Sequence, residues 1–248
     1  MRTAFFTLLL LVLTTSSAFA ANPVVRLQIT GAVTGTIDIE LYPDKTPVTV
    51  ANFVSYVKAG FYNNLIFHRV VNSGFYIVQG GGFDTNFIQK TAGLLPPILN
   101  ESSNRLSNTR GTIAMARTEA ADSATSQFYF NVQNNDGFNY GTLDNVWVYN
   151  PNGNYLYQHK FTQVGYCVFG TVVAGMGVVD LIAAYPTTDD VPNDNIIIQS
   201  ATIITPGPAC AQFPKGDINF DCRVNFKDFA LLSANWAMCN SLITPCSW

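Results

Sequence analysis

Residues 65–81 read LIFHRVVNSGFYIVQGG. Two β-type runs, LIFHRVV and FYIVQGG, lie on either side of an Asn72-Ser73-Gly74 break. They are rich in β-branched and aromatic residues and bounded by turn formers, which is the signature of paired strands. Two further runs of the same kind follow, GTIAMAR at 111–117 and SQFYFNV at 126–132. Short strands in succession, separated by Gly, Asn and Ser, predict a barrel or a sandwich.

Upstream, Val24 to Leu41 alternates VVRLQIT and TIDIEL around a Gly-Ala-Val-Thr-Gly turn and reads as a β-hairpin. Val48 to Ala59 carries Val50, Phe53, Val54 and Val57 at helical spacing, with Gly60 as its stop. Downstream, residues 141–163 hold VWVY and NYLYQ around Asn-Pro-Asn-Gly, an inserted hairpin by pattern. A second helix is predicted over Gly177–Ala184, and IIIQSATII (196–204) is the expected closing strand. Thr205-Pro206-Gly207-Pro208 then marks a boundary.

Hydrophobic residues make up 48% of the 248 and charged residues 12%, against a usual charged share of about 25%, so the chain is read as folded rather than disordered. The formal net charge is −3 and no Lys/Arg stripe is present, which argues against nucleic acid as a partner. Residues 1–20, MRTAFFTLLLLVLTTSSAFA, have the cationic start, short apolar run and Ala-Phe-Ala end of a secretory signal. That run is far short of the ~20 residues that span a bilayer, and no later stretch is long enough, so no membrane span is expected. The protein is therefore read as exported, to a periplasm or to the extracellular space or cell surface. Cys210, Cys222, Cys239 and Cys246 crowd the last forty residues and predict two disulfides with three pairings open, whereas Cys167, in an apolar strand-like setting, reads as a buried free thiol.

The segments FHRVVNSGFYIVQGGGF (67–83), GTIAMARTEAADSATSQFYFNV (111–132) and YCVFGTVVAGMGVVDLI (166–182) together resemble the cyclophilin-type peptidyl-prolyl isomerases, in their bacterial branch. The resemblance runs from about Val24 to Thr205. It implies a mainly β fold, an eight-stranded antiparallel barrel capped by two helices. It also implies an enzyme that turns X–Pro bonds of exported proteins and so assists folding, with proline-containing peptides and unfolded proteins as partners and no cofactor for catalysis. By the same resemblance Arg69 falls on the catalytic arginine and Gln79 on the glutamine that contacts the substrate backbone. Ala116 and Arg117 match the strand that pairs with the peptide, Gln127 and Tyr129 the next stretch, Phe138 an aromatic of the proline pocket, and Tyr166 a position that is His in other branches. The family usually places eight residues from the Arg to the Gln; here Arg69 and Gln79 are ten apart. Counting back from Gln79 puts Tyr76 on the pocket aromatic and Ile77 on its apolar neighbour, with Phe75 the rival if the extra residues fall later. An insertion of two keeps every side chain on its own strand face. That insertion motivates the alternative of a proline-peptide binding scaffold with little turnover. His68 reads as structural, because turning a prolyl bond needs no acid or base.

From Asp217 the chain sets oxygen side chains at loop positions 1, 3, 5, 9 and 12: Asp217, Asn219, Asp221, Asn225 and Asp228, with the Arg223 carbonyl at position 7. This spacing is that of an EF-hand-type calcium loop. It resembles the loops of dockerins, which end on Asp, although Cys222 occupies the usual Gly position and one loop stands where dockerins carry two. The expected organisation is a signal peptide (1–20), an isomerase domain (21–205), a linker (206–215) and a small helical, dockerin-like calcium-loop module (216–248). The module would bind Ca2+ and tether the enzyme to a surface or assembly protein.

Overall fold

The computed structural model describes residues 22–141, 143–149, 155–162 and 164–205, with isolated positions 216, 224, 226 and 229; side chains within 143–162 are not described. The expected signal peptide, the four C-terminal cysteines and all six candidate calcium ligands (Asp217, Asn219, Asp221, Arg223, Asn225 and Asp228) lie outside the described residues.

Eight strands close an antiparallel barrel: β1 (Val24–Gly31), β2 (Gly35–Leu41), β3 (Leu65–Ser73), β4 (Phe75–Asp84), β5 (Thr112–Met115), β6 (Phe128–Asn131), β9 (Val168–Ala174) and β12 (Ile196–Thr205). Around the barrel their order is β1-β12-β3-β4-β6-β5-β9-β2. Two helices, α1 (Pro47–Lys58) and α2 (Met176–Ala183), pack on it. Two small hairpins stand apart, β7–β8 (Leu143–Tyr149 with Tyr155–Thr162) and β10–β11 (Thr187–Thr188 with Val191–Pro192). The predicted 24–41 hairpin, both helices, the inserted hairpin and the closing strand therefore appear within a residue or two of their expected limits.

Alternation sends Val25, Leu27, Ile29, Ile37, Ile39 and Leu41 into the interior, where they meet Phe67, Phe128, Phe130 and Phe169. Each such side chain contributes about 1.5–3 kcal/mol when fully buried. Helix α1 adds Val50, Phe53, Val54 and Val57 to the same core, so barrel and helix share one hydrophobic unit. Its start uses Pro47, whose missing N–H costs nothing at a first helical position. The cap comes from far along the chain: the Glu101 carboxylate accepts from the Val48 and Thr49 amides at 3.1 and 2.8 Å and from the Thr49 hydroxyl at 2.6 Å. Gly60 ends the helix at φ +64, the left-handed region where glycine is favoured. Because the interior is filled with side chains, a peptide is left only the outer surface on which to bind.

Candidate active site

The site is built by strand register. Arg69 on β3 pairs with Gln79 on β4, Gln79 with Tyr129 on β6, and Tyr129 with Ala114 on β5. Residues directly opposite one another share a face, so one row across four strands carries the guanidinium, the amide and the phenol ring on the outer face of the barrel, where the phenol is covered by neighbouring side chains. The next inward row, Val70, Val78, Phe130 and Ile113, faces the core. The two extra residues between Arg69 and Gln79 lie at the hairpin tip: pairing runs without interruption from Arg69↔Gln79 to Ser73↔Phe75 around Gly74. Lengthening an antiparallel hairpin by two adds one residue to each arm and leaves the deeper pairs unchanged. The Arg–Gln pair is thereby preserved.

An outer apolar cluster lies beside this row. Val71, Ile77, Ala114, Tyr129 and Val168 are buried in it, and Phe75, Leu106, Ala116, Phe138 and Tyr166 pack against them. Ring packing separates the two aromatic candidates on β4. Phe75 lies 5.1 Å from Phe138 between centroids, and the Arg69 guanidinium carbon sits 5.5 Å from the centre of the Phe75 ring. Tyr76 belongs to neither apolar cluster, and its backbone is held by Asn135, which accepts from the Tyr76 amide and donates to its carbonyl, both at 2.9 Å. Phe138 packs 4.9 Å from Tyr166 and 6.0 Å from Tyr129, which completes an aromatic wall.

The polar groups are arranged around that wall. Gln79 donates to the Gln127 side-chain oxygen at 3.0 Å. Gly82 makes room for this pair, since a Cβ there would fall 2.6 Å from the Gln127 side chain. Ala116 donates its amide to the Gln127 carbonyl at 2.9 Å, and the Arg117 guanidinium covers the Tyr166 ring at 4.4 Å while donating to the Gly165 and Thr118 carbonyls. Arg69 faces Asp190 of the β10–β11 turn at 3.6 Å. Of the eleven expected substrate-site residues, nine fall in this row, its cluster or a direct hydrogen bond to them, Arg117 joins through the Tyr166 ring, and Tyr76 lies outside.

Sequence reasoning missed the layer beneath. The Tyr129 hydroxyl donates to Asn108 Oδ1 at 2.8 Å, and the Asn108 amide group donates to the Phe138 carbonyl at 3.1 Å. Asn131 donates to Asn108 and Thr112, and Asn135 donates to Asn131 at 2.7 Å. This buried asparagine network fixes the pocket aromatics, and burial pushes the Tyr129 phenol well above its ordinary pKa. Asn108 and Asn135 lie in loops and Asn131 ends β6, so no periodic signal marks them as a set. His68 stacks on Phe83 at 4.6 Å; burial first, and Arg69 second, push its pKa down to about 4, so it is neutral at physiological pH. Cys167 is buried beside the Thr49 hydroxyl at 3.4 Å, and burial pushes its thiol up to about 12, which leaves it inert as a nucleophile. Among the described residues no group of His, Cys, Asp and Glu is arranged to hold a metal, and no helix is long and apolar enough to cross a membrane.

The arrangement is an outer apolar cluster of aromatic and aliphatic side chains, with the Arg69 guanidinium and the Gln79–Gln127 amide pair beside it. It offers electrostatic and hydrogen-bonding contacts to a bound peptide without an activated nucleophile.

Comparison with known proteins agrees with this geometry. A family model described as "Cyclophilin type peptidyl-prolyl cis-trans isomerase/CLD" matches residues 24–203. A peptidyl-prolyl cis-trans isomerase of Acinetobacter baylyi is 46% identical over 171 residues, 69% of this chain and 79% of that protein. Peptidyl-prolyl cis-trans isomerase B of Escherichia coli is 45% identical over 175 residues, 68% of this chain and 94% of that protein. The fold resembles a crystal structure of a Cryptosporidium parvum cyclophilin-type isomerase, with TM-score 0.55 and 21% identity over 74% of this chain and 98% of that one. The chain belongs to the cyclophilin-type peptidyl-prolyl cis-trans isomerases.

Proposed function

We propose that this isomerase acts on X–Pro bonds of exported proteins and assists their folding, with Arg69 as its electrostatic catalyst and Gln79 as the holder of the substrate backbone. The observation that carries the reading is the cross-strand row Arg69–Gln79–Tyr129–Ala114 beside the Phe75, Ile77 and Phe138 wall. Rotation about a prolyl amide faces a barrier of about 18–20 kcal/mol because resonance must be broken. As it breaks, the prolyl nitrogen becomes pyramidal and regains a lone pair. The Arg69 guanidinium donates to that lone pair, while Gln79 and the segment around Ala116 and Arg117 hold the flanking peptide. The proline ring rests among Phe75, Ile77, Tyr129 and Phe138, with Tyr166 closing the far side. Only the twisted form gains the bond to Arg69, and that difference is what lowers the barrier.

Residues 216–248 are assigned, in the same proposal, to a dockerin-like module that binds Ca2+ through Asp217, Asn219, Asp221, the Arg223 carbonyl, Asn225 and Asp228, and docks on a surface or assembly partner. The leader at 1–20 supports export.

The decisive experiment follows cis/trans exchange of an X–Pro peptide with the mature protein and its Arg69→Ala variant. The expected result is acceleration by the parent and a loss on the order of a hundredfold in the variant, with an unchanged circular dichroism spectrum. Full activity in Arg69→Ala would remove the assignment of Arg69. Tight peptide binding without exchange in either protein would favour the scaffold reading instead.

A further inference from the structure

Beside Arg69, and sharing it with the catalytic row, lies an open cavity of about 270 Å³ lined by His68, Arg69, Phe83, Phe87, Asp189, Asp190 and Val191. Its floor is aromatic and its far rim is acidic. Among the described residues, five non-glycine residues hold a positive φ, and three of them, Phe87 (+60°), Asp189 (+50°) and Asp190 (+66°), line this one cavity. Such a conformation is disfavoured for a bulky side chain like Phe, and disfavoured conformations cluster at ligand sites where the surroundings enforce them.

The enforcement is visible at both loops. The Phe87 amide donates to the Asp84 carbonyl at 3.0 Å, while Asp84 Oδ1 accepts from the Asn86 and Ile88 amides at 2.8 and 3.0 Å. The Asp190 carbonyl accepts from the Val70 amide at 2.7 Å, tying the β10–β11 turn to the catalytic strand. Held in this way, the Phe87 ring stays 46% exposed at the mouth of the cavity.

The charges do not cancel. Asp190 faces Arg69 at 3.6 Å, which sets one carboxylate against one guanidinium. His68 is neutral, and Asp189, exposed at the turn, makes no ion pair or side-chain hydrogen bond among the described residues. One negative charge is left over, next to an exposed aromatic face. That pairing attracts a cation through both the carboxylate and the ring quadrupole, and an apolar wall suits the aliphatic stem of a long basic side chain.

We propose that this cavity is a flanking subsite that takes a Lys or Arg side chain of the same peptide whose prolyl bond is turned beside it. The proposal rests on the reading of the Arg69 row as the catalytic centre, because only a peptide bound there passes this cavity. The stem lies over Phe83 and Phe87 and the cation meets Asp189.

The test uses peptides with one X–Pro bond and Lys, Ala or Glu placed in turn at each flanking position. Exchange rates and NMR-titrated affinities are measured for the parent, Asp189→Asn and Phe87→Asn; Asn tolerates positive φ, so neither variant disturbs its turn. At one flanking position the parent is expected to show kcat/KM about two- to fivefold higher for Lys than for Ala, the size of an exposed charge pair, and lower for Glu. Asp189→Asn should bring Lys down to the Ala level without changing the Ala peptide, and Phe87→Asn should weaken the Lys preference. Equal treatment of Lys and Ala by the parent at every position, or a full preference retained in Asp189→Asn, overturns the proposal. Should no peptide exchange faster, the catalytic reading fails separately, and a Lys preference in affinity that disappears in Asp189→Asn still upholds the subsite.

Discussion

The pH response of His68 can be worked out with its sign. Its folded pKa lies at about 4 against 6.5 for the free side chain, because burial and then the adjacent Arg69 disfavour the cation. The unfolded chain therefore takes up a proton at a pH where the folded one does not. The stability this represents is fully present above pH 6.5 and drains away as pH falls toward 4, with roughly 2–3 kcal/mol gone by pH 4.5. Glu101 acts the other way: burial raises its carboxyl despite the bonds from Thr49 and Val48, so acid favours the folded state through that group. Urea midpoints of the parent and of His68→Gln isolate the first effect. The variant is expected to lose less stability between pH 7 and pH 4.5, and parallel losses would show that His68 is not the group responsible. The histidine was readable from the chain only as structural. That it lies between a phenyl ring and a guanidinium depends on a hairpin register that becomes visible only in three dimensions.

At the scale of elements, what could be read from the chain follows from periodicity. The alternation of 24–41, the helical spacing of Val50, Phe53, Val54 and Val57, and the apolar run 196–204 each correspond to a single element with a buried face, and each appears where expected. The β10–β11 hairpin did not announce itself, since two-residue strands are too short to show a period, and yet it supplies Asp190 opposite Arg69. The choice between Phe75 and Tyr76 was open for a related reason: counting along the chain cannot show which side chain meets Phe138, and in the structure it is Phe75, at 5.1 Å between ring centroids. The β7–β8 hairpin was legible from its Asn-Gly break and is inserted between Phe138 and Tyr166. Its roots already touch, because a Cβ on Gly165 would lie 2.6 Å from the Tyr140 amide nitrogen. Excising residues 142–163 and joining the roots with a short Gly-rich turn is therefore expected to leave the thermal midpoint within a few degrees of the parent and to keep exchange activity on an Ala-flanked peptide. Loss of folding on excision would mean that the hairpin is part of the core unit.

On the scale of the whole molecule, the family match ends at residue 203 and the last barrel strand at Thr205. The barrel buries its own core, so a chain ending at Thr205 is expected to fold and to turn prolyl bonds at the parental rate. Calcium should then separate the two halves. Titration calorimetry of the full mature chain is expected to show one ion bound, lost in Asp217→Ala, with no change in exchange rate on saturation. A calcium-dependent rate would instead make the module a regulator of the enzyme. Absence of binding would remove the dockerin-like assignment.

The closed strand order has a further consequence for how this protein would meet an extended chain. An open sheet ends in two rows of unpaired amides and carbonyls, and any unfolded neighbour can add itself there as one more strand. In this barrel β1 is hydrogen-bonded to β12 on one side and to β2 on the other, and every other barrel strand is likewise flanked twice. An extended chain can lie across the barrel's outer face and leave again, and it finds no free border on the barrel on which to add a strand.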